Sequence, residues 1–139
     1  MFLQYILESM KHHIEERREN ENEWKRVQTD VVDVVHEVIE DDIDNMLLHK
    51  MYGILSINCV TTDDVCALYP TLARVNHSCL ANSVYAINAN NSMVLRAKRS
   101  IAEDEEITVS YVSVWCGQPR RRTTLMSRWF FDCRKVYFC

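Results

Sequence analysis

The sequence predicts an α+β fold in which helices come first and short strands follow. Two observations carry this. Up to about residue 55 the chain is dense in charge, with apolar residues at helical spacing. From Ser56 onward it breaks into short β-favouring segments separated by turn residues.

In the first part, Phe2–Arg18 and Trp24–Leu48 read as two helices. The second is marked by Val27, Val31, Val34, Val35, Val38 and Ile39, which form one apolar stripe. Glu19–Glu23 (ENENE) is a polar interruption between them, and Asp44–Ile54 reads as a further short helix stopped near Gly53. In the second part, Ser83–Ile87, Ser92–Ala97 and Ile107–Tyr111 read as strands. Asn88–Asn91 (NANN) supplies hairpin-turn chemistry between the first two, because asparagine tolerates the left-handed backbone such turns need. Pro119 opens a helix that continues through Arg120–Arg128 into a cysteine-bearing tail.

Composition narrows the function. The chain of 139 residues is 47% hydrophobic, enough for a buried core. Its formal charge is −4, with 6 basic and 13 acidic residues in Met1–Lys50 against 10 and 7 in Met51–Cys139. An acidic chain without a Lys/Arg stripe lacks the counterion-releasing contacts that drive phosphate-backbone binding, so no direct nucleic-acid partner is expected. Nothing approaches the roughly 20 apolar residues of a membrane span, and no signal-peptide pattern opens the chain. An intracellular setting, nucleus or cytoplasm, is the expectation, and six cysteines there read as thiols or metal ligands rather than as a disulfide framework.

Chemistry-bearing residues concentrate in two places. Within Leu68–Asn82 (LYPTLARVNHSCLAN), Asn76, His77, Ser78 and Cys79, followed by Asn82, put amide, imidazole, hydroxyl and thiol side by side; alone, this string also reads as a hydrogen-bonded loop. Ser100–Tyr111 (SIAEDEEITVSY) is an acidic turn leading into a β-run that ends in tyrosine, where Tyr111 alone also reads as a half-buried aromatic. Glu103–Glu106 reads as a solvated turn ahead of an acidic docking patch, and Arg120–Arg122 as a surface helix face. His12, His13, His36 and His49 show no metal-ligand pairing and read as surface residues.

Taken together, these motifs resemble the SET domain in its SMYD branch. ALYPTLARVNHSC (Ala67–Cys79) is similar to that branch's first signature segment, DEEITVSY (Asp104–Tyr111) to its second, and QPRRRTTLMSRWFFDC (Gln118–Cys133) to its arginine-rich helix and tail. The upstream helices with GILSIN (Gly53–Asn58) resemble the helical insert of arthropod SMYD-like proteins. The resemblance implies three regions: a helical SET insert over 1–55, the C-terminal SET core over 56–115, and a post-SET-like helix with a partial cysteine tail over 116–139. It implies a knot-like crossing of the tail past the NHSC loop. It also implies that the chain is a SET-domain fragment, without the N-terminal G-x-G strands and the MYND finger.

The same resemblance implies S-adenosylmethionine-dependent methylation of lysine on a protein substrate, histone or otherwise. Tyr111 is then the catalytic residue. Asn58, Asn76, His77 and Phe131 contact the cofactor, and Trp129 walls the lysine channel; for Trp129 and Phe131, core packing is the competing reading. The family's zinc site implies Cys79, Cys133 and Cys139 as ligands; Lys135 stands where a tail cysteine is expected and Cys139 falls one residue late, so zinc is a possible cofactor at a site one ligand short unless a His or a residue past the chain end completes it. Cys59, Cys66 and Cys116 lack partner spacing and read as buried thiols. Ala81 replaces the family's proline, which loosens the turn without removing a reacting group. The alternative function is a SET-like protein-interaction module whose catalysis has decayed.

Overall fold

A computed structural model describes residues 8–39, 42–61 and 65–133. The chain divides into two compact units, Met1–Leu68 and Tyr69–Cys139.

The first unit is helical. Helix α1 (Ile14–Glu19) is followed after a single residue by α2 (Glu21–Val27), a π-helical stretch over Gln28–Asp33, α3 (Val34–Val38) and the long α4 (Asn45–Asn58), which runs into a two-stranded antiparallel ribbon of β1 (Cys59–Thr61) and β2 (Cys66–Leu68). The break inside ENENE is Asn20 alone, whose side chain accepts from the Glu23 N–H and so caps α2. Residues 2–7 of the expected first helix lie outside the described residues, and helix α1 begins at Ile14.

The valine stripe is redistributed. Val27 and Val32 are fully buried, while Val34, Val38 and Ile39 are exposed. The π-helical stretch accounts for this, because its i→i+5 bonding brings residues five apart onto one face and rotates everything downstream out of the 3.6-residue register.

Around this core runs a polar network. The Arg17 guanidinium is buried, donating to Glu23 Oε1 at 2.7 Å and Ser56 Oγ at 3.3 Å, and lies 4.8 Å above the Tyr52 ring. His49, expected at the surface, is buried instead: its ring stacks on Trp24 at 3.7 Å between centroids and its Nε2 meets Gln28 Oε1 at 3.0 Å. Burial, with Arg17 and Arg18 nearby, lowers its pKa and so favours the neutral ring.

Gly53 does not stop α4, which continues five residues further. Its glycine identity answers a close approach: a Cβ there would lie 2.4 Å from the His12 carbonyl oxygen.

The second unit carries the motifs. A 3₁₀ turn (Leu72–Arg74) leads into β3 (Asn76–His77); β4 (Ser83–Ile87) and β5 (Met93–Ala97) form the expected antiparallel hairpin; β6 (Thr108–Val109) pairs in parallel with β3; and α5 (Gln118–Trp129) closes the unit. The hairpin turn uses Asn91 in the left-handed region, φ 59, as the NANN composition requires. The expected strand Ile107–Tyr111 shortens to two residues, because β3 offers only two residues to pair with. Leu72, Ala81, Val109 and Leu125 are buried in this unit.

Replacing Gly53 by alanine tests the close approach. Helix propensity favours alanine by about 1 kcal/mol, but the new methyl must displace the backbone of the segment before α1, an overpacking that typically costs about 1–3 kcal/mol. A net loss of up to about 2 kcal/mol is expected in urea unfolding followed by helical circular dichroism.

Candidate methyl-transfer site

The parallel pairing of β3 with β6, Asn76 opposite Thr108 and His77 opposite Val109, sets the two signature motifs side by side. The ladder continues as the Ser78 N–H donates to the Val109 carbonyl at 3.0 Å. Two residues of strand are too few to hold themselves, and side chains complete the joint. Asn82, 3% exposed, accepts from the Thr108 N–H at 2.9 Å through Oδ1; its Nδ2 donates to Glu105 Oε1 at 2.8 Å and to the Glu106 carbonyl at 2.9 Å. The Ser83 hydroxyl donates to the Thr108 carbonyl at 2.7 Å.

The acidic turn therefore does more than meet solvent. Asp104 takes a left-handed conformation, φ 62, and Glu105 receives Arg99 on both carboxylate oxygens, at 2.5 and 3.0 Å, together with Asn82 and the Ala102 N–H. These bonds, Arg99 foremost, hold the Glu105 carboxyl down at about 2. Glu106 Oε1 accepts from Asn76 Nδ2 at 2.6 Å, so the exposed Asn76 amide is oriented by the second motif.

Beside this joint lies an aromatic group. The Tyr111 ring is 5.3 Å from His77, 5.0 Å from Trp129 and 6.4 Å from Phe131, and His77 is 5.8 Å from Phe131. Helix α5 delivers Trp129, and the left-handed Phe130, φ 58, turns the chain so that Phe131 follows into the same group. The Tyr111 hydroxyl donates to the Val75 carbonyl at 2.7 Å, and its N–H donates to His77 Nδ1 at 3.0 Å. Burial, reinforced by the Glu106 charge, raises the tyrosine pKa, so Tyr111 stands as a neutral phenol.

Among the sequence-derived candidates, the structure thus gathers Asn76, His77, Tyr111, Trp129 and Phe131 within the second unit. Asn58 belongs to the first unit, at the end of α4, where Nδ2 donates to the Ile54 and Lys11 carbonyls at 2.8 and 3.0 Å.

Cys79 and Cys133 bring their sulfurs to 3.7 Å, and His77 Nε2 lies 3.3 Å from Cys79 Sγ. Three metal-ligand atoms of His77, Cys79 and Cys133 lie within 4.8 Å of one another. The imidazole, however, offers no lone pair there. Because Nδ1 accepts the Tyr111 N–H, the ring proton of the neutral tautomer sits on Nε2 and points at Cys79. Two thiols and a donor imidazole fall short of the closed four-ligand set of a structural zinc site among the described residues; Cys139 and Lys135 lie outside them.

The sequence alone points to no positioning role for Asn82, and it reads Glu105 and Glu106 as part of a solvated turn and Arg121 as part of a surface helix face. Asn82 stands beside the NHSC string, but nothing in a single sequence tells a buried carboxamide from a turn former. Arg121 is buried rather than on a surface face, donating to the Cys116 carbonyl at 2.5 Å, and its neighbour Arg122 forms a two-pronged ion pair with Asp132 at 2.6 and 2.7 Å.

The SET domain family model matches residues 2–112, most of the chain. The chain belongs to the SET domain family. Among curated proteins it is similar to the histone-lysine N-methyltransferase Smyd1 of Mus musculus, 26% identical over 91% of this chain and 30% of that protein. It also resembles the histone-lysine N-methyltransferase SMYD3 of Mus musculus, 35% identical over 48% of this chain and 15% of that protein. A third relative is the histone-lysine N-methyltransferase SET5 of Eremothecium gossypii, 33% identical over 68% of this chain and 18% of that protein. The chain thus spans less than a third of the length of these relatives.

Glu105 yields a pH prediction. Its folded pKa is depressed to about 2 from an ordinary 4.5, so its contribution to stability is complete above pH 4.5 and is lost as pH falls through about 2. The thermal midpoint of the parent should fall more steeply than that of Glu105→Gln across this window, when both are followed by the Tyr and Trp fluorescence of the second unit.

Proposed function

We propose that this chain is the C-terminal part of a SET catalytic domain that transfers a methyl group from S-adenosylmethionine to a lysine of a protein substrate, histone or otherwise. The observation that carries this reading is the convergence of a neutral, half-buried tyrosine, a flat aromatic wall and an oriented amide on the joint between two signature motifs. Membership of the SET family and the names of its relatives support it, and their greater length supports the reading of the chain as a fragment. The regions 1–55, 56–115 and 116–139 would then serve as helical insert, SET core and post-SET helix with tail. No helix among the described residues is long and apolar enough to cross a membrane; an intracellular setting, nucleus or cytoplasm, goes with this role.

The residues fit the nucleoside they would hold. His77 and Phe131 present tilted rings 5.8 Å apart at centroids, suited to an adenine edge or face, and Asn76 keeps an amide oxygen available while its Nδ2 is bound to Glu106. S-adenosylmethionine, when bound, supplies an electrophilic methyl on a sulfonium.

This chain's part is to position and to tune. Methyl transfer needs the amine neutral, dehydrated and in line. Trp129, tilted 36° against Tyr111, gives an apolar wall for a lysine stem. The Tyr111 hydroxyl, fixed by its bond to the Val75 carbonyl, keeps oxygen lone pairs that accept from the amine and ease positive charge as it passes from sulfur to nitrogen. A phenolate would instead trap a charged ammonium, and the raised tyrosine pKa avoids this. No zinc ion enters the step.

In a product that carries the chain with upstream SET strands, Tyr111→Phe should lower turnover by about 10²–10³, or roughly 2.7–4 kcal/mol, with cofactor affinity nearly kept. Asn76→Ala should weaken cofactor binding itself. Radiolabelled methyl transfer to a lysine-rich protein, with a cofactor titration for each variant, reads both. Parent-like turnover in Tyr111→Phe would favour the protein-interaction module.

A further inference from the structure

The second unit leaves three large apolar side chains in water. Leu80, 60% exposed, and Val114, 51% exposed, line one cavity of about 430 Å³, and Trp115, next along the chain, is 94% exposed. Folding gains nothing from a tryptophan left outside, and large exposed apolar residues beside a cavity mark a binding surface. The turn that carries Val114 and Trp115 is tied down. The Cys116 N–H donates to the Ser113 carbonyl at 3.2 Å, the Trp115 N–H to Ser113 Oγ at 3.3 Å, and the Arg121 guanidinium to the Cys116 carbonyl. Such a turn presents its side chains with little left to order on binding.

The cavity is basic. Lys98, Arg99 and Arg121 line it, and no Asp or Glu among the described residues does. Arg99 is already engaged by Glu105, whereas the exposed Lys98 meets no carboxylate within the cavity. These cations are too few, and the chain too acidic, for a phosphate backbone, which needs a run of basic contacts. A small free anion would leave the apolar groups unused. The ligand that fits both features offers carboxylates to Lys98 and an apolar side chain to Leu80, Val114 and Trp115. None of Asn76, His77, Tyr111, Trp129 and Phe131 lines this cavity.

We propose that this face of the second unit docks an acidic segment of a partner protein, one in which aspartates or glutamates alternate with apolar residues. Its carboxylates meet Lys98 and the basic wall, while an apolar side chain packs on Trp115 and enters beside Leu80 and Val114. Trp115 supplies the contact area that dominates the energetics of many interfaces. Lys98 speeds the encounter with an acidic segment and disfavours a basic one. The inference does not rest on the proposed methyl transfer, because its readout is binding alone.

The test titrates the purified full chain into a short peptide of alternating glutamate and leucine carrying a neutral dye, and reads fluorescence anisotropy at graded salt. Saturable binding that weakens as salt rises is expected. The same peptide with glutamine in place of glutamate should bind about tenfold more weakly or worse, a comparison that needs no altered chain. Lys98→Glu should weaken binding of the glutamate peptide about tenfold or more, and Trp115→Ala by a similar factor, each with the helical circular dichroism of the parent. The proposal is overturned if the glutamate and glutamine peptides bind alike, if Lys98→Glu binds as the parent does, or if a single-stranded oligonucleotide binds the same face more tightly than the peptide. It is equally overturned if sedimentation shows a dimer of the chain that Trp115→Ala dissociates and that excludes the peptide, since the face would then join two copies.

Discussion

The carboxamide of Asn82 is the constraint on which the second unit depends. It stands 3% exposed beside two strands of two residues each, a ladder too short to persist unaided, and it ties the chain leaving the NHSC loop to Glu105, Glu106 and Thr108 of the second motif. Leaving such a group without its partners typically costs about 1–3 kcal/mol each. What it secures is register. With Asn76 opposite Thr108, the chain leaving β6 must pass under His77, where the Tyr111 N–H finds Nδ1. That bond fixes the imidazole tautomer, and the tautomer decides what Cys79 faces. One buried amide thus propagates to the tyrosine, the histidine and the thiol pair.

Electrostatics around the joint follow the same logic. Glu105 and Glu106 are carboxylates recruited as acceptors for the two motif asparagines, and Arg99 offsets the charge this places at the turn. The Glu106 charge also raises the pKa of Tyr111. A single acidic turn therefore braces the NHSC loop and holds the phenol protonated. In the first unit the corresponding device is Arg17, whose buried guanidinium gathers Glu23, Ser56 and Tyr52 around the helix junction.

Much of this is legible in the sequence, and the gaps have physical causes. The hairpin is readable because NANN carries the left-handed asparagine its turn needs, and α5 because Pro119 marks a helix start. The NHSC and EEITVSY strings point to one site because motif chemistry is local. The valine stripe misleads because a π-helical stretch breaks the period on which such a reading relies. His49 and Arg121 escape recognition because burial of a polar side chain is decided by its partners in the fold, Trp24 and Gln28 for one, the Cys116 carbonyl for the other. Gly53 has the look of a helix stop in sequence, whereas its role is to admit the His12 backbone.

The coupling through Asn82 can be measured directly by amide hydrogen exchange on Asn82→Ala. The Ser78, Thr108 and Tyr111 amides, each held across the joint, should lose protection together, while the β4–β5 hairpin amides keep theirs. If Thr108 alone exchanged faster and the Ser78 and Tyr111 amides stayed as protected as in the parent, other contacts would be holding the two motifs together, and the central role of Asn82 would be contradicted.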